Sequence, residues 1–488
     1  MIKGPAVDWL AIAPEMTLMV GAFVLLMLAA FIRGRDRSIG VIVGLLVLAL
    51  SGGFAVYGWN DPATTTLAGA VQIDQLTESV RVLIAGCGIL TLISSVGWTR
   101  MREVGAEFAA ILLLACAGMD LIAASNSFVT LFVALELFSI SLYVLCAFDS
   151  KSKASLESGF KYLVLGTIGS IVLVYGAAFL YGATGSFGFD AINVALTKAG
   201  SGDALVILGT VLVVAGLAFK IGVMPFHMWV PDVYEGAPTH VTGFMAAATK
   251  IAAFVALARV LLEALPAVRD SWQPALVVIA VATILVGGIA ALVQTSIKRM
   301  LAYSSIAAAG FGLIAIIVGG DVGARALVFY LAAYAPMAIG AFAVVSMQER
   351  DTKEHKATYE SIRGWGFDRP IAAAAMTIFL LGFAGFPLTI GFIGKFVVLG
   401  SAVQGGFGWL AVVAVVGSVI GIGYYLRVIL AMYDRSAKSG AMVPAGPGLA
   451  SATLVIVICL LLVLAGGILP GLGLDWATGA ARALVAAG

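Results

Sequence analysis

The sequence predicts an all-α, polytopic membrane protein of about fourteen transmembrane helices, on three observations. Of its 488 residues 61% are apolar and only 11% are charged, whereas a soluble chain of this length is nearer a quarter charged. Apolar runs of about 20 residues, enough to cross a bilayer, recur from end to end. Glycine is abundant, with 58 residues, as in packed transmembrane helices. The runs lack the ten-residue alternation of barrel strands, so their backbone groups must be satisfied within helices.

Spans are expected near 14–32, 38–59, 75–97, 105–124, 126–147, 157–182, 203–223, 238–262, 274–293, 299–320, 323–347, 370–386, 408–433 and 450–470. Connections are short except 60–74, 183–202, 348–369 and 434–449, and no soluble domain fits among them. Alternate connections hold most basic residues: Arg33, Arg35, Arg37; Arg100, Arg102; Lys151, Lys153; Lys298, Arg299; Arg350, Lys353, Lys356, Arg363, Arg369; Arg435, Lys438. The opposite set has only Lys3, Lys198, Arg269, Arg325 and Arg482. The first set should face the cytoplasm, which puts both termini outside and requires an even number of spans. Asp8, Pro14 and Glu15 precede the first long apolar run. Without a basic start and small-residue cleavage pattern, that run reads as a span rather than a signal peptide. Cys87, Cys116, Cys146 and Cys459 are scattered over apolar stretches. With no CxxC or Cys/His cluster, they read as small buried hydrophobes, not as disulfide, iron–sulfur or zinc positions. A net charge of +2 gives no indication of nucleic acid.

Two spans are interrupted. In Phe219-Lys220-Ile221-Gly222-Val223-Met224-Pro225-Phe226-His227, Pro225 lacks an amide hydrogen and clashes with the preceding turn, and Gly222 loosens the same stretch. Gly382-Phe383-Ala384-Gly385-Phe386-Pro387 repeats the pattern, and the apolar run resumes through Lys395. Discontinuous helices with a lysine close by, roughly five spans apart, mark a transporter built from repeats, although Gly-Pro kinks alone are common in membrane helices.

Setting loop residues aside leaves Arg81, Lys161, Lys220, Lys250, Arg259, Lys395 and Arg427 within spans or at their ends. Glu136 joins them, about ten residues or roughly 15 Å into its span. Such a carboxylate needs a partner on another helix or a proton. A structural ion pair is one reading, and a proton or ion site is the default for an intramembrane ionisable group. Lys220 is either a lysine snorkelling from a helix end or a proton carrier, since burial disfavours a lysine's charge and a nearby carboxylate favours it. Lys250, between Ala246-Ala247-Ala248 and Ala252-Ala253, is too deep to snorkel easily, and its small neighbours admit water or another helix. Lys395 follows Gly394, but Thr389 and Phe396 exclude a phosphate-binding loop. It reads as a buried base or terminal proton carrier.

His227 is either a packing residue or a relay between lysines, because histidine titrates near neutrality. His240 and His355 carry little functional weight. Glu78 and Arg81, three apart on one face, can simply pair. Lys161, close to a cytoplasmic end, reads as snorkelling ahead of a relay role. One acid and several lysines on separate helices suggest exchange sites, not a metal cage of clustered carboxylates or histidines. Neither a Rossmann glycine fingerprint nor a Ser/His/Asp triad is evident, so redox and hydrolytic chemistry are not expected in this chain.

The stretch Pro225-Phe226-His227-Met228-Trp229-Val230-Pro231-Asp232-Val233-Tyr234-Glu235-Gly236-Ala237-Pro238-Thr239 resembles the signature of the antiporter-like membrane subunits of respiratory complex I, the proton-translocating NADH-quinone oxidoreductase. It is most similar to the subunit N branch. Lys298-Arg299-Met300-Leu301-Ala302-Tyr303-Ser304-Ser305-Ile306 resembles a second family segment, and the resemblance covers essentially the whole chain. It implies two inverted five-helix repeats, each with a broken helix: 105–262 and 274–433, flanked by helices in 1–97 and 450–488. It also implies a hydrated polar axis. On it Glu136 resembles the family's glutamate of the fifth helix and Lys220 the lysine of the broken seventh. Lys250 resembles the central lysine of the eighth helix, Lys395 the lysine of the broken twelfth, and His227 the histidine after the first break. Many relatives carry a histidine shortly after Ser-Ser-Ile of the tenth helix. Here Ala307-Ala308-Ala309 follows, so a relay there would need water or Tyr303.

The resemblance implies redox-driven proton translocation along Glu136, Lys220, Lys250 and Lys395, with no cofactor or metal in this chain. NADH, FMN, iron–sulfur clusters and quinone would belong to partner subunits, and neighbouring antiporter-like subunits would pack beside it in a bacterial inner membrane, both termini periplasmic. An Mrp-type cation/proton antiporter subunit is the alternative within the superfamily. A non-transporting structural subunit is a third reading; it would tolerate neutral substitutions at Glu136, Lys220 and Lys250.

Overall fold

The computed structural model describes residues 7–31, 39–98, 101–199, 203–351, 356–436 and 447–485. The helices are α1 (Ala13–Phe31), α2 (Ile39–Tyr57), α3 (Gln75–Ser95), α4 (Met101–Ala123), α5 (Phe128–Cys146), α6 (Lys153–Thr184), α7 (Phe189–Ala199), α8 (Ala204–Ile221) and α9 (Trp229–Gly236). They continue with α10 (Thr239–Ala264), α11 (Arg269–Leu292), α12 (Ile297–Val318), α13 (Gly320–Asp351), α14 (Pro370–Ala384), α15 (Ile390–Gln404), α16 (Gly408–Met432), α17 (Pro447–Ile468) and α18 (Pro470–Val485). Among the described residues, 13 helices are long and apolar enough to cross a membrane. The chain is thus an all-α, multi-pass membrane protein.

All the expected spans coincide with helices, and 370–386 falls on α14. The connections hold more than expected. Residues 60–74 form an antiparallel hairpin, β1 (Thr64–Thr66) with β2 (Val71–Ile73), and 183–202 contain α7. Past 470, α18 adds a short helix, too short and mixed to read as a span. Of the residues used for orientation, Lys3, Arg33, Arg35, Arg37, Arg100, Lys353 and Lys438 lie outside the described residues, as does His355.

Burial sorts the helices. The spans of α10 and α13 are almost wholly buried, whereas α1, α2, α11, α16 and α17 expose apolar faces. The run of alanines in α10 permits this central place, because helices in lipid associate through close packing of small residues. Glycine does the same between α6 and α8. A Cβ on Gly176 would meet Val213 N at 2.6 Å and Gly209 O at 2.8 Å, so the two backbones touch there. Serine and aspartate close several helix starts: Asp74 accepts from Thr77 N at 2.8 Å and Ser127 from Thr130 N at 3.1 Å, satisfying amides that have no partner inside their helix.

Gly176→Leu is expected to push α6 and α8 apart, at roughly the 1–3 kcal/mol typical of overpacking or somewhat more. A lowered unfolding temperature of the detergent-solubilised protein would register it. A Gly176→Ala change should fall between Leu and the parent.

Candidate functional site

Lys220 stands in the last turn of α8. Gly222 ends that helix at φ +79°, a conformation that favours glycine, and its amide donates to Ala218 O (3.0 Å) and Phe219 O (3.1 Å). The carbonyl of Phe219 also accepts from Trp229 Nε1 of α9 at 2.9 Å. A side chain beyond the interruption thereby satisfies a backbone group at the helix end. Lys220 is only 1% exposed. Its Nζ donates to Ser139 Oγ (3.0 Å), Tyr143 OH (3.3 Å) and Gly166 O (3.5 Å). Gly166 of α6 leaves the space that the Tyr143 hydroxyl fills; any Cβ there would collide with it.

Ser139 and Tyr143 follow Glu136 by three and seven residues on one face of α5. Glu136 is half-buried, and among the described residues its buried Oε1 has no hydrogen-bond partner. Among the described residues it forms no ion pair with Lys220, which bonds to the hydroxyls one turn along, roughly 4.5 Å of helix rise away.

Lys250 is buried in α10 directly after a π-helical turn, Met245–Thr249, a wide turn that recurs at functional sites. Its Nζ donates to Ser305 O of α12 and lies 5.6 Å from the ring centre of Tyr334 of α13.

The second interruption follows α14, which ends at Gly385 with φ +89°. Lys395 lies beyond it on α15 and reaches back, donating to Ala384 O (3.2 Å) and Ser418 Oγ of α16 (3.0 Å). Its Nζ is 4.8 Å from the ring centre of Phe311. Lys220 thus precedes its break and Lys395 follows its own, so the two lysines are related by proximity to a break and not by an identical step.

Lys250 and Lys395 touch α12 at Ser305 and Phe311, six residues apart or roughly 9 Å of rise. Beside Lys395 lies a cavity of about 30 Å³, lined also by Ser304, Ala308, Tyr330, Tyr334 and Tyr425 among others; Lys250 does not line it, but approaches the ring of its lining residue Tyr334. That is room for about two waters, given 10–15 Å³ per water. Tyr330 OH donates to Ala308 O at 2.8 Å, and Ser304 bonds to Tyr425 OH. Hydroxyls therefore surround the position where the resemblance expects a histidine. Tyr303 is not among the lining residues.

The other residues sort as follows. His227 sits in the first interruption with Nδ1 buried and unpartnered, and among the described residues no hydrogen bond ties its ring to either lysine. His240 packs its ring on Trp98 (5.4 Å) and Phe108 (5.2 Å). Lys161 is 40% exposed and pairs with Glu157 (2.7 Å) and Asp232 (3.1 Å), a surface role. Arg427 donates to Leu292 O and Gln294 O, 3.2 Å each. Glu78 and Arg81 do pair, at 2.8 Å, within a larger network that includes Glu15. The sequence reading missed the cavity tyrosines and the π turn. Aromatic residues on apolar helices look like core, and only their helical spacing toward α12 could have singled them out.

Lysines buried or half-buried on apolar helices, two of them beside helix interruptions, are the arrangement of the antiporter-like class of membrane proteins. The family described as NADH:quinone oxidoreductase/Mrp antiporter, TM matches residues 125–421. NADH-quinone oxidoreductase subunit N of Trichlorobacter lovleyi is 40% identical over 426 residues, 87% of each chain. Subunit N 1 of Solibacter usitatus is 36% identical over 480 residues, 98% of each. A chain of respiratory complex I from Thermus thermophilus with bound aureothin superposes with a TM-score of 0.80 at 33% identity, over 95% of this chain and 98% of that one. The chain belongs to the subunit N family of NADH-quinone oxidoreductase, the antiporter-like membrane subunits of that translocase.

An experimental map fine enough to show ordered water is expected to contain about two waters in the Ser304–Tyr425 cavity. Ala308→Leu should fill the space and remove them.

Proposed function

We propose that this chain carries protons across a bacterial inner membrane, both termini periplasmic, along Glu136, Lys220, Lys250 and Lys395, with His227 beside the first interruption. NADH oxidation with FMN and iron–sulfur clusters, and quinone reduction, take place in partner subunits. The single observation that carries this reading is the placement of Lys220, Lys250 and Lys395. Each is held by neutral hydroxyls or carbonyls and by no ion pair among the described residues. An ionisable side chain on a membrane helix marks a functional position by default, and a neutral partner shell lets each lysine gain and lose its proton without breaking a salt bridge.

Glu136 supports the coupling step. The α5 face beside it exposes Val133 (54%) and Ile140 (55%), so the carboxylate lies near a surface where a neighbouring antiporter-like subunit can pack. A change of charge across that boundary alters the field at Lys220, one turn along. Lys220 then passes its proton to Lys250, and the hydroxyl-lined cavity takes it on to Lys395. The two repeats, 105–262 and 274–433, each contribute an interrupted helix, flanked by 1–97 and 450–488. The family also includes Mrp antiporters, but relatives named subunit N are 40% and 36% identical over 87% and 98% of their own length, which favours the oxidoreductase.

Lys220→Ala in the assembled complex, reconstituted in vesicles, is expected to lower protons moved per NADH oxidised. Undiminished pumping per turnover would remove Lys220 from the path. Flavin and iron–sulfur absorbance should co-purify with the chain; purification with antiporter subunits alone would favour the Mrp reading.

A further inference from the structure

A second set of ionisable groups lies away from the lysines, at the end of the bundle that carries the β1–β2 hairpin. Arg81 of α3 is its hub. Nε and Nη2 donate to Glu15 Oε1 of α1 (3.0 and 2.6 Å), and Nη2 also to Glu15 Oε2 (2.8 Å). Nη1 donates to Glu78 Oε1 (2.8 Å), and Nη2 reaches Ala11 O as well (3.0 Å). A neighbouring group is internally paired: Arg259 of α10 holds both oxygens of Asp74 at 2.9 Å and Glu263 at 2.8 Å.

Asp120 of α4 is joined to neither. It is 1% exposed, and both of its carboxyl oxygens are buried without a hydrogen-bond partner among the described residues. The charged groups facing it are Glu15 from α1 and Glu78 and Arg81 from α3; the Cys116 thiol lies one turn back on its own helix. Glu15 has both oxygens engaged, whereas Glu78 Oε2 is buried and, among the described residues, unpartnered. If all three carboxyls were ionised, one guanidinium would face them all in an apolar setting. A buried charge without a partner takes up a proton instead. The unpartnered oxygens fall on Asp120 and Glu78. A cleft of about 230 Å³, lined by Asp8, Asp61, Asp74 and Glu78 among others, stops short of Asp120.

We propose that Asp120 is a proton-binding site, holding its proton as a neutral carboxyl and exchanging it with the aqueous cleft through Glu78. Neither carboxyl hydrogen-bonds the other at rest, so the outward step runs through a water between them: the Asp120 O–H bond breaks, its electron pair stays on the carboxylate, an O–H bond forms on that water, and the water releases a proton that forms an O–H bond at Glu78 Oε2. Glu78 then gives the proton to a cleft water, forming hydronium, and the reverse sequence reloads the site. This proposal stands independently of the lysine path.

Infrared difference spectroscopy of the full chain in lipid nanodiscs at neutral pH, in H₂O and D₂O, tests it. Asp120→Asn, or Asp120→Ser should the first variant not fold, is expected to lose one protonated-carboxyl band. Glu78→Gln is expected to keep the Asp120 band but slow its hydrogen–deuterium exchange. An undiminished band in the Asp120 variant shows that Asp120 is ionised and overturns the site; unchanged exchange in Glu78→Gln overturns the route.

Discussion

Inside hydrocarbon, a carbonyl that loses its helical partner finds no water to replace it, and the centre of this bundle is arranged around that shortage. At the first interruption the indole of Trp229 takes the carbonyl of Phe219. At the second, Lys395 takes the carbonyl of Ala384. The second solution gives a side chain two duties, since the ammonium that completes the helix end is also an exchangeable group. Losing its proton removes a donor but leaves the amine able to donate again, so the break can persist through a change of charge.

Helix α10 joins the two polar regions. Lys250 begins its regular part after the π turn, and Arg259, nine residues on, anchors the same helix to Asp74 and Glu263. The two arginines hold Glu15 and Asp74 through both carboxylate oxygens, and losing either arginine would strand buried charges, a cost of several kcal/mol. The lysines instead rest on neutral acceptors. That contrast separates groups that fix the position of a helix from groups suited to changing their charge.

Much of this was legible in the sequence because the bilayer imposes a length and a composition. Unbroken apolar runs gave every span, and Gly222/Pro225 and Gly385/Pro387 located both interruptions. Glu136, Lys220, Lys250 and Lys395 stood out because charge is scarce on such runs. The arginine networks were hidden for the opposite reason. Glu15 and Arg81 are 66 residues apart, and Asp74 and Arg259 are 185 apart. Near span ends, carboxylates look like ordinary interfacial residues. Asp120 gave no periodic signal, and its lack of partners emerges only in three dimensions. The cavity around Ala308 was equally invisible, because it is made by tyrosines from α13 and α16 meeting α12.

The central question is whether protons pass through the middle of this chain, and Lys250 is the residue to ask. In vesicles containing the complex with Lys250→Gln, the number of protons moved per electron transferred can be measured at matched electron-transfer rates. Conduction through the lysine row requires that ratio to fall below the parent value. A ratio equal to the parent's would show that the protons take another way.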